Sequence, residues 1–206
     1  MSFIHLHVHS CYSLMQGVSS VAELCRTAVA NGATHLALTD TNGFYGLINF
    51  VAAAKALRLT PLVGAYLQTA SEAAVILIKT LTGYEILSDL ITRRHLTADF
   101  SLKVELPVCH EHLAVLSNDP EMLQAVRSRA DCWVEVVPGP VGRRAWHLSR
   151  DLGLPAVATN AVYFAQPDDY PLHRLVRAID LNKTLSTLPP AETVSPGQWL
   201  QPEKEI

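Results

Sequence analysis

Along most of the chain, short apolar runs alternate with longer stretches whose apolar residues recur at helical spacing. Strand side chains change face at each residue, so in the opening strand, Phe3–Val8, Leu6 and Val8 share one face and His5, His7 and the following His9 share the other. Ser20-Val-Ala-Glu23 has the spacing of a capping box, and the helix it opens stops at Asn31-Gly32. Leu36–Thr39 predicts a second strand ending at Asp40, Leu47–Leu57 an alanine-rich helix, Pro61–Leu67 a third strand and Val75–Lys79 a fourth. Thr82-Gly-Tyr-Glu85 predicts another capped helix, to about Arg94. Leu113–Ser117 reads as a strand, and Asp119-Pro120-Glu121 then supplies an N-cap, an N1 proline and an acid for the helix dipole. Strands at Trp133–Val137 and Pro155–Thr159, with helices at Gly142–Leu152 and Tyr170–Leu181, complete the set. The stretch from Leu96 to His112 predicts a connection with one helical turn.

Strand–helix alternation of this length implies parallel pairing through right-handed crossovers. The expected fold is α/β: a distorted (β/α)7-type barrel of mainly parallel strands, with site residues at the strand C-termini. His7, His9 and Asp40 all fall at such ends. No G-x-G-x-x-G follows the first strand and no G-x-x-x-x-G-K-[ST] occurs, so the open-sheet nucleotide-binding signatures are missing. After about residue 185 the chain changes character, with Pro189-Pro190, Pro196 and Pro202 breaking any helix. A disordered tail and a connector are both open there, although Trp199-Leu200 is an odd apolar pair for a free tail.

Three imidazoles on one face of a short strand are poorly explained by packing and suit a transition metal. The composition changes less. With 206 residues, 49% hydrophobic and 17% charged, the chain is long enough for a full core. A net charge of −3 argues against a broad nucleic-acid surface. Arg143-Arg144, Arg174 and Arg177 read as solvated helix faces rather than a basic patch. Cys11, Cys25, Cys109 and Cys132 form no C-x-x-C pair, which suits reduced thiols. No basic-then-apolar leader opens the sequence, and the apolar run Ala73–Ile78 is too short for a bilayer. The expectation is a soluble cytoplasmic protein without membrane contact.

Phe3–Gly17 (FIHLHVHSCYSLMQG), Leu36–Phe50 (LALTDTNGFYGLINF), Pro61–Leu67, Thr82–His95 and Leu154–Leu185 together resemble the PHP (polymerase and histidinol phosphatase) domain that opens the bacterial DNA polymerase III alpha subunits and related error-prone C-family polymerases. The resemblance covers essentially all of the chain. It implies a PHP barrel over 1–185 and a connector over 186–206 toward a polymerase body. In PHP proteins, histidines and carboxylates hold two or three metals that make hydroxide and neutralise a phosphoryl group. By resemblance His7 and His9 match the first motif's histidine pair and Asp40 the aspartate of Thr-Asp-His. The next histidine is Thr41 here, the third motif's glutamate is Tyr66, and the last motif's Asn-Asp-x-His reads Asn160-Ala161-Val162-Tyr163. A late cysteine ligand of some members falls on Asp119, which reads better as a helix cap.

Alanine cannot coordinate, threonine is a poor ligand, and neutral tyrosine is weak below its pKa of ~10. The resemblance with these losses implies a degenerate centre: no catalytic residue, no tightly bound cofactor, and at most one weak Zn or Mn ion on His7, His9 and Asp40. The role expected is structural or docking, with the rest of a polymerase chain and a proofreading or other replisome subunit as partners, and DNA met only through the parent polymerase. One competing reading is a working 3′–5′ exonuclease or pyrophosphatase recruiting His95, His110 or His112. Another is a free-standing histidinol-phosphatase-like enzyme, against which the polymerase-like segments at Leu154–Leu185 and Trp199–Ile206 argue.

Overall fold

The computed structural model describes residues 3–106, 111–127 and 131–206. Its contacts divide the chain into two compact units, one of Met1–Asp40, Tyr45–Leu62 and Asn160–Ile206, the other of Thr41–Phe44 and Val63–Thr159. Each unit has its own buried core.

In the first unit, helix α1 (Val21–Ala30) is capped by Ser20, whose hydroxyl accepts the Glu23 N–H at 3.2 Å. Strand β1 (His35–Leu38), helix α2 (Leu47–Ala56) and helix α7 (Tyr170–Asp180) complete its longer elements. Val8, Leu24, Leu36, Phe50, Leu59 and Val162 build the core, joined by Leu200 from the proline-rich end. That end is therefore packed: Asn31 Nδ2 donates to Leu200 O at 2.7 Å, Leu200 N–H donates to Phe164 O, and Phe164 bridges Trp199.

The expected strand Phe3–Val8 is instead an extended segment with one parallel bridge, Val8 to Val162. Ala37 N–H donates to His5 O and Thr39 N–H to Val8 O on one side. On the other, His9 N–H donates to Val162 O and Val162 N–H to His7 O. The ladder is interrupted because the Thr39 hydroxyl, not a backbone carbonyl, accepts the Val8 N–H at 2.8 Å.

In the second unit β2 (Thr60–Gln68), which begins in the first, lies beside β3 (Ala73–Ile78), followed in order by β4 (Leu113–Ser117), β5 (Asp131–Val136) and β6 (Ala156–Ala158). The α/β class holds, but the sheet is mixed. β3 pairs antiparallel with both β2 and β4, while β4–β5 and β5–β6 are parallel. Only Thr69–Glu72 joins β2 to β3, closed by Thr69 N–H to Glu72 O, and parallel neighbours need a crossover many times longer.

Helices α3 (Leu81–Leu96), α4 (Leu102–Glu105), α5 (Pro120–Val126) and α6 (Pro140–Leu152) belong to this unit, whose core includes Leu67, Ile76, Leu87, Leu90, Leu102, Val115 and Val134. Helix α3 starts one residue before the expected capping box, with Thr80 as its cap, accepting from Gly83 N–H. The single turn expected between Leu96 and His112 is α4. Asp119 caps α5, its carboxylate accepting Glu121 N–H at 2.9 Å. Cys11, Cys25 and Cys132 are free thiols, and Cys109 lies outside the described residues. Among the described residues, no helix is long and apolar enough to cross a membrane.

Candidate metal centre

The first unit gathers His7, His9, Asp40, Ala161 and Tyr163. His9 and Asp40 are buried, at 0% and 2% exposure, and His7 at 5%. The turn after His9 folds back so that Ser10 and Ser13 both face Asp40. Ser10 donates to the carboxylate through its N–H (2.7 Å to Oδ1) and its hydroxyl (2.8 Å to Oδ2), and Ser13 Oγ donates to Oδ1 at 2.7 Å. Burial raises the Asp40 carboxyl above its ordinary value, and these serine hydrogen bonds oppose that rise.

The same bonds fix the histidine tautomers. Ser13 spends its one hydroxyl hydrogen on Asp40, so at the 3.0 Å contact with His9 Nδ1 the ring must donate. His9 is neutral, since burial, then His7 and His173, press its pKa well below 6.5. Its Nε2 therefore carries a lone pair and accepts the proton of His7 Nε2, 2.9 Å away. The result is a directed chain from His7 through His9 and Ser13 to Asp40. His5 is not part of it: Nε2 donates to Gln201 O at 2.9 Å, tying the opening segment to residue 201. Of three histidines read from one face, two converge.

The positions read as lost ligands divide between the units. Tyr163 lies flat on His9, ring centroids 4.2 Å apart. Ala161 is buried and holds φ of 46°, a left-handed conformation that aspartate and asparagine adopt more readily than alanine. Thr41 and Tyr66 meet in the second unit through a parallel bridge, with Asn42 N–H donating to Tyr66 O. Burial, then the nearby Glu135 carboxylate, pushes the Tyr66 phenol up to about 12. It is neutral at any physiological pH.

Sequence reading missed Ser10, Ser13 and Glu135. Glu135, 5% exposed on β5, accepts from Thr159 Oγ1 at 2.6 Å. A glutamate within the apolar run Trp133–Val137 was the available signal. The substitute histidines are engaged elsewhere: His95 Nε2 contacts Asn42 O at 2.7 Å, and His112 Nδ1 contacts Thr80 Oγ1 at 3.1 Å. His110 lies outside the described residues.

The metal that the PHP resemblance implies needs three or four donors around one point. The His7 and His9 Nε2 atoms are close enough for two of them once His7 gives up its proton. Asp40 accepts from serine donors at both oxygens, most heavily at Oδ1. Among the described residues, no group of three or more His, Cys, Asp or Glu side chains is placed to hold an ion. The donor set fits half a zinc site.

Comparison with known proteins agrees with the fold. The chain is 28% identical to the DNA polymerase III subunit alpha of Buchnera aphidicola subsp. Schizaphis graminum, over 99% of this chain and 21% of that one. It is 28% identical to the Escherichia coli K12 subunit with the same coverage, and 28% identical to the error-prone DNA polymerase of Corynebacterium efficiens, over 93% of this chain and 17% of that one. The chain thus spans about a fifth of the length of the curated relatives it matches. Among solved structures, a protein described as a metal-dependent phosphoesterase from Bifidobacterium adolescentis superposes with a TM-score of 0.52 at 13% identity, covering 77% of this chain and 86% of that one. A two-domain protein from Bacteroides vulgatus, described as containing a PHP-like phosphoesterase, gives 0.52 at 12%, covering 78% and 51%. These structural likenesses speak to fold alone. The PHP domain family matches residues 5–140, about two-thirds of the sequence, and the chain belongs to that family.

Proposed function

We propose that this chain is the PHP domain of a bacterial polymerase of the DNA polymerase III alpha or error-prone type, with residues 1–185 as the domain and 186–206 leading toward the polymerase body. Its metal centre is worn to at most one weak ion on His7, His9 and Asp40, and its role is to brace or dock rather than to hydrolyse. The supporting observation is the hydrogen-bonded chain His7–His9–Ser13–Asp40, in which the candidate ligands bond one another and the two serines. An ion entering there has to displace a proton from His7 and share the Asp40 carboxylate with its serine donors. Thr41, Tyr66, Ala161 and Tyr163 offer no carboxylate or imidazole to balance a bridged pair of metals.

The test is phosphoesterase and 3′–5′ exonuclease assay with added Mn or Zn, on the chain and on His7→Ala/His9→Ala protein. Both should stay at background. A metal-dependent activity that vanishes in the double variant contradicts the proposal. The polymerase context is tested by primer extension on the longer chain. There, loss of core residues should cost more activity than loss of the two histidines.

A further inference from the structure

The basic residues that the sequence assigned to ordinary solvated helix faces do not share one fate. On α7, Arg174 donates to Leu185 O, while Arg177 holds Glu192 O and the Asp180 carboxylate. Those two arginines are spent on the fold. On α6, by contrast, Arg143, Arg144 and Arg150 enter no ion pair with any described residue. Arg143, Trp146, His147 and Arg150 stand at i, i+3, i+4 and i+7, so they share one helix face.

Beside that face, Val136, Val137, Gly139, Gly142, Arg143, Trp146 and His147 line an open cavity of about 310 Å³. Two glycines shape it. Gly139 turns the chain with φ of 98°, and a Cβ on Gly142 would fall 1.8 Å from Val137 O. Only bare backbone lets the helix start so close to the end of β5. Trp146 is 54% exposed, an expensive position for so large an apolar residue. An aromatic side chain beside an arginine with no ion-pair partner among the described residues, in an open dish, matches how proteins hold single-stranded nucleic acid, by base stacking and phosphate charge.

We propose that this dish binds one nucleotide unit of a DNA single strand, the base stacking on Trp146 and its phosphate meeting Arg143 and His147. Arg150 lies about 10 Å further along the helix, placed for a neighbouring phosphate, so a strand fits this face better than a free mononucleotide does. The net charge of −3 confines the contact to a short footprint with a shallow salt dependence. This site is independent of the histidine cluster, and neither reading depends on the other.

The experiment is fluorescence anisotropy of a labelled oligo-dT at low salt. The arms are an abasic strand of equal length, free dTMP and polyglutamate as competitors. Oligo-dT should bind and the abasic strand should bind several-fold more weakly, because it keeps the charge and lacks the stack. Trp146→Ala should weaken binding by at least about fivefold, with Trp146→Phe restoring part of it. Arg143→Ala should weaken binding and flatten the salt slope, while Arg26→Ala, an equal charge loss at an exposed position of α1, should not. Circular dichroism checks that each variant folds. Equal binding of abasic strand, polyglutamate and oligo-dT, or loss no greater in the α6 variants than in Arg26→Ala, overturns the proposal. dTMP competing as well as the strand at equal nucleotide concentration overturns the strand assignment.

Discussion

Asp40 is the residue on which a structural and a metal-binding account diverge most sharply. Its carboxylate orders the Ser10–Ser13 turn, and Asn in its place turns one acceptor into a donor facing hydroxyls. Asp40→Asn should therefore lower unfolding stability by about 1.5–3 kcal/mol, the scale of hydrogen bonds to a charged group. Thermal melts with and without EDTA check the cause: the loss should be the same in both, since no ion takes part. Ala161 gives a second test. Ala→Gly in a buried, right-handed or extended position costs stability, but at φ of 46° the swap relieves the left-handed penalty. Ala161→Gly should be neutral, or stabilising by up to about 1 kcal/mol, in urea titration.

His173 sets a pH dependence. It is buried, donating from Nδ1 to Gln16 O and accepting the Val194 N–H at Nε2, so both nitrogens require the neutral ring. Burial lowers its pKa, with Arg177 adding to the effect and the Gln16 bond opposing it. The unfolded ring takes up a proton near 6.5 while the folded one resists. Its contribution is thus complete above about 6.5 and is lost as pH falls toward the lower folded pKa. His5 and His9 shift the same way. Stability should fall between pH 7.5 and 5.5, and His173→Phe should flatten that slope in melts at the two pH values.

At the scale of elements, the sequence was most legible where local chemistry decides. The caps at Ser20 and Asp119 follow from side chains reaching backbone within a few residues, and the stop at Gly153 from the left-handed backbone, φ of 65°, that glycine adopts freely. Pairing direction was less legible, because it depends on how long each connection is. The short link between Leu67 and Val75 signalled a hairpin, and parallel alternation was read through it. His7, His9 and Asp40 could be picked out by residue type and position. The serines that hold Asp40 could not, since a serine in a turn has many partners within reach and no periodic mark.

Burial decides which core position matters most. Leu36 and Leu38 on β1 are 1% and 5% exposed, whereas Val157 on β6 is only partly buried. Leu36→Ala should cost roughly 2–4 kcal/mol in chemical unfolding and Val157→Ala clearly less. Leu200 is fully buried in the core of the first unit, so Leu200→Ala should cost as much as a strand position, unlike a residue in a free tail.

For the molecule as a whole, the account proposes a PHP domain kept for its packing while its metal chemistry has lapsed. Retained caps and two closed cores accompany a site whose donors have turned toward each other. The most direct test of that claim is metal stoichiometry. The purified chain would be incubated with Zn or Mn, dialysed against micromolar metal, and measured by plasma mass spectrometry beside a thermal melt. The account predicts at most one ion per chain, lost on dialysis against metal-free buffer, and a melting midpoint that EDTA leaves unchanged. Two or more ions retained per chain, with a midpoint that falls on chelation, would contradict it.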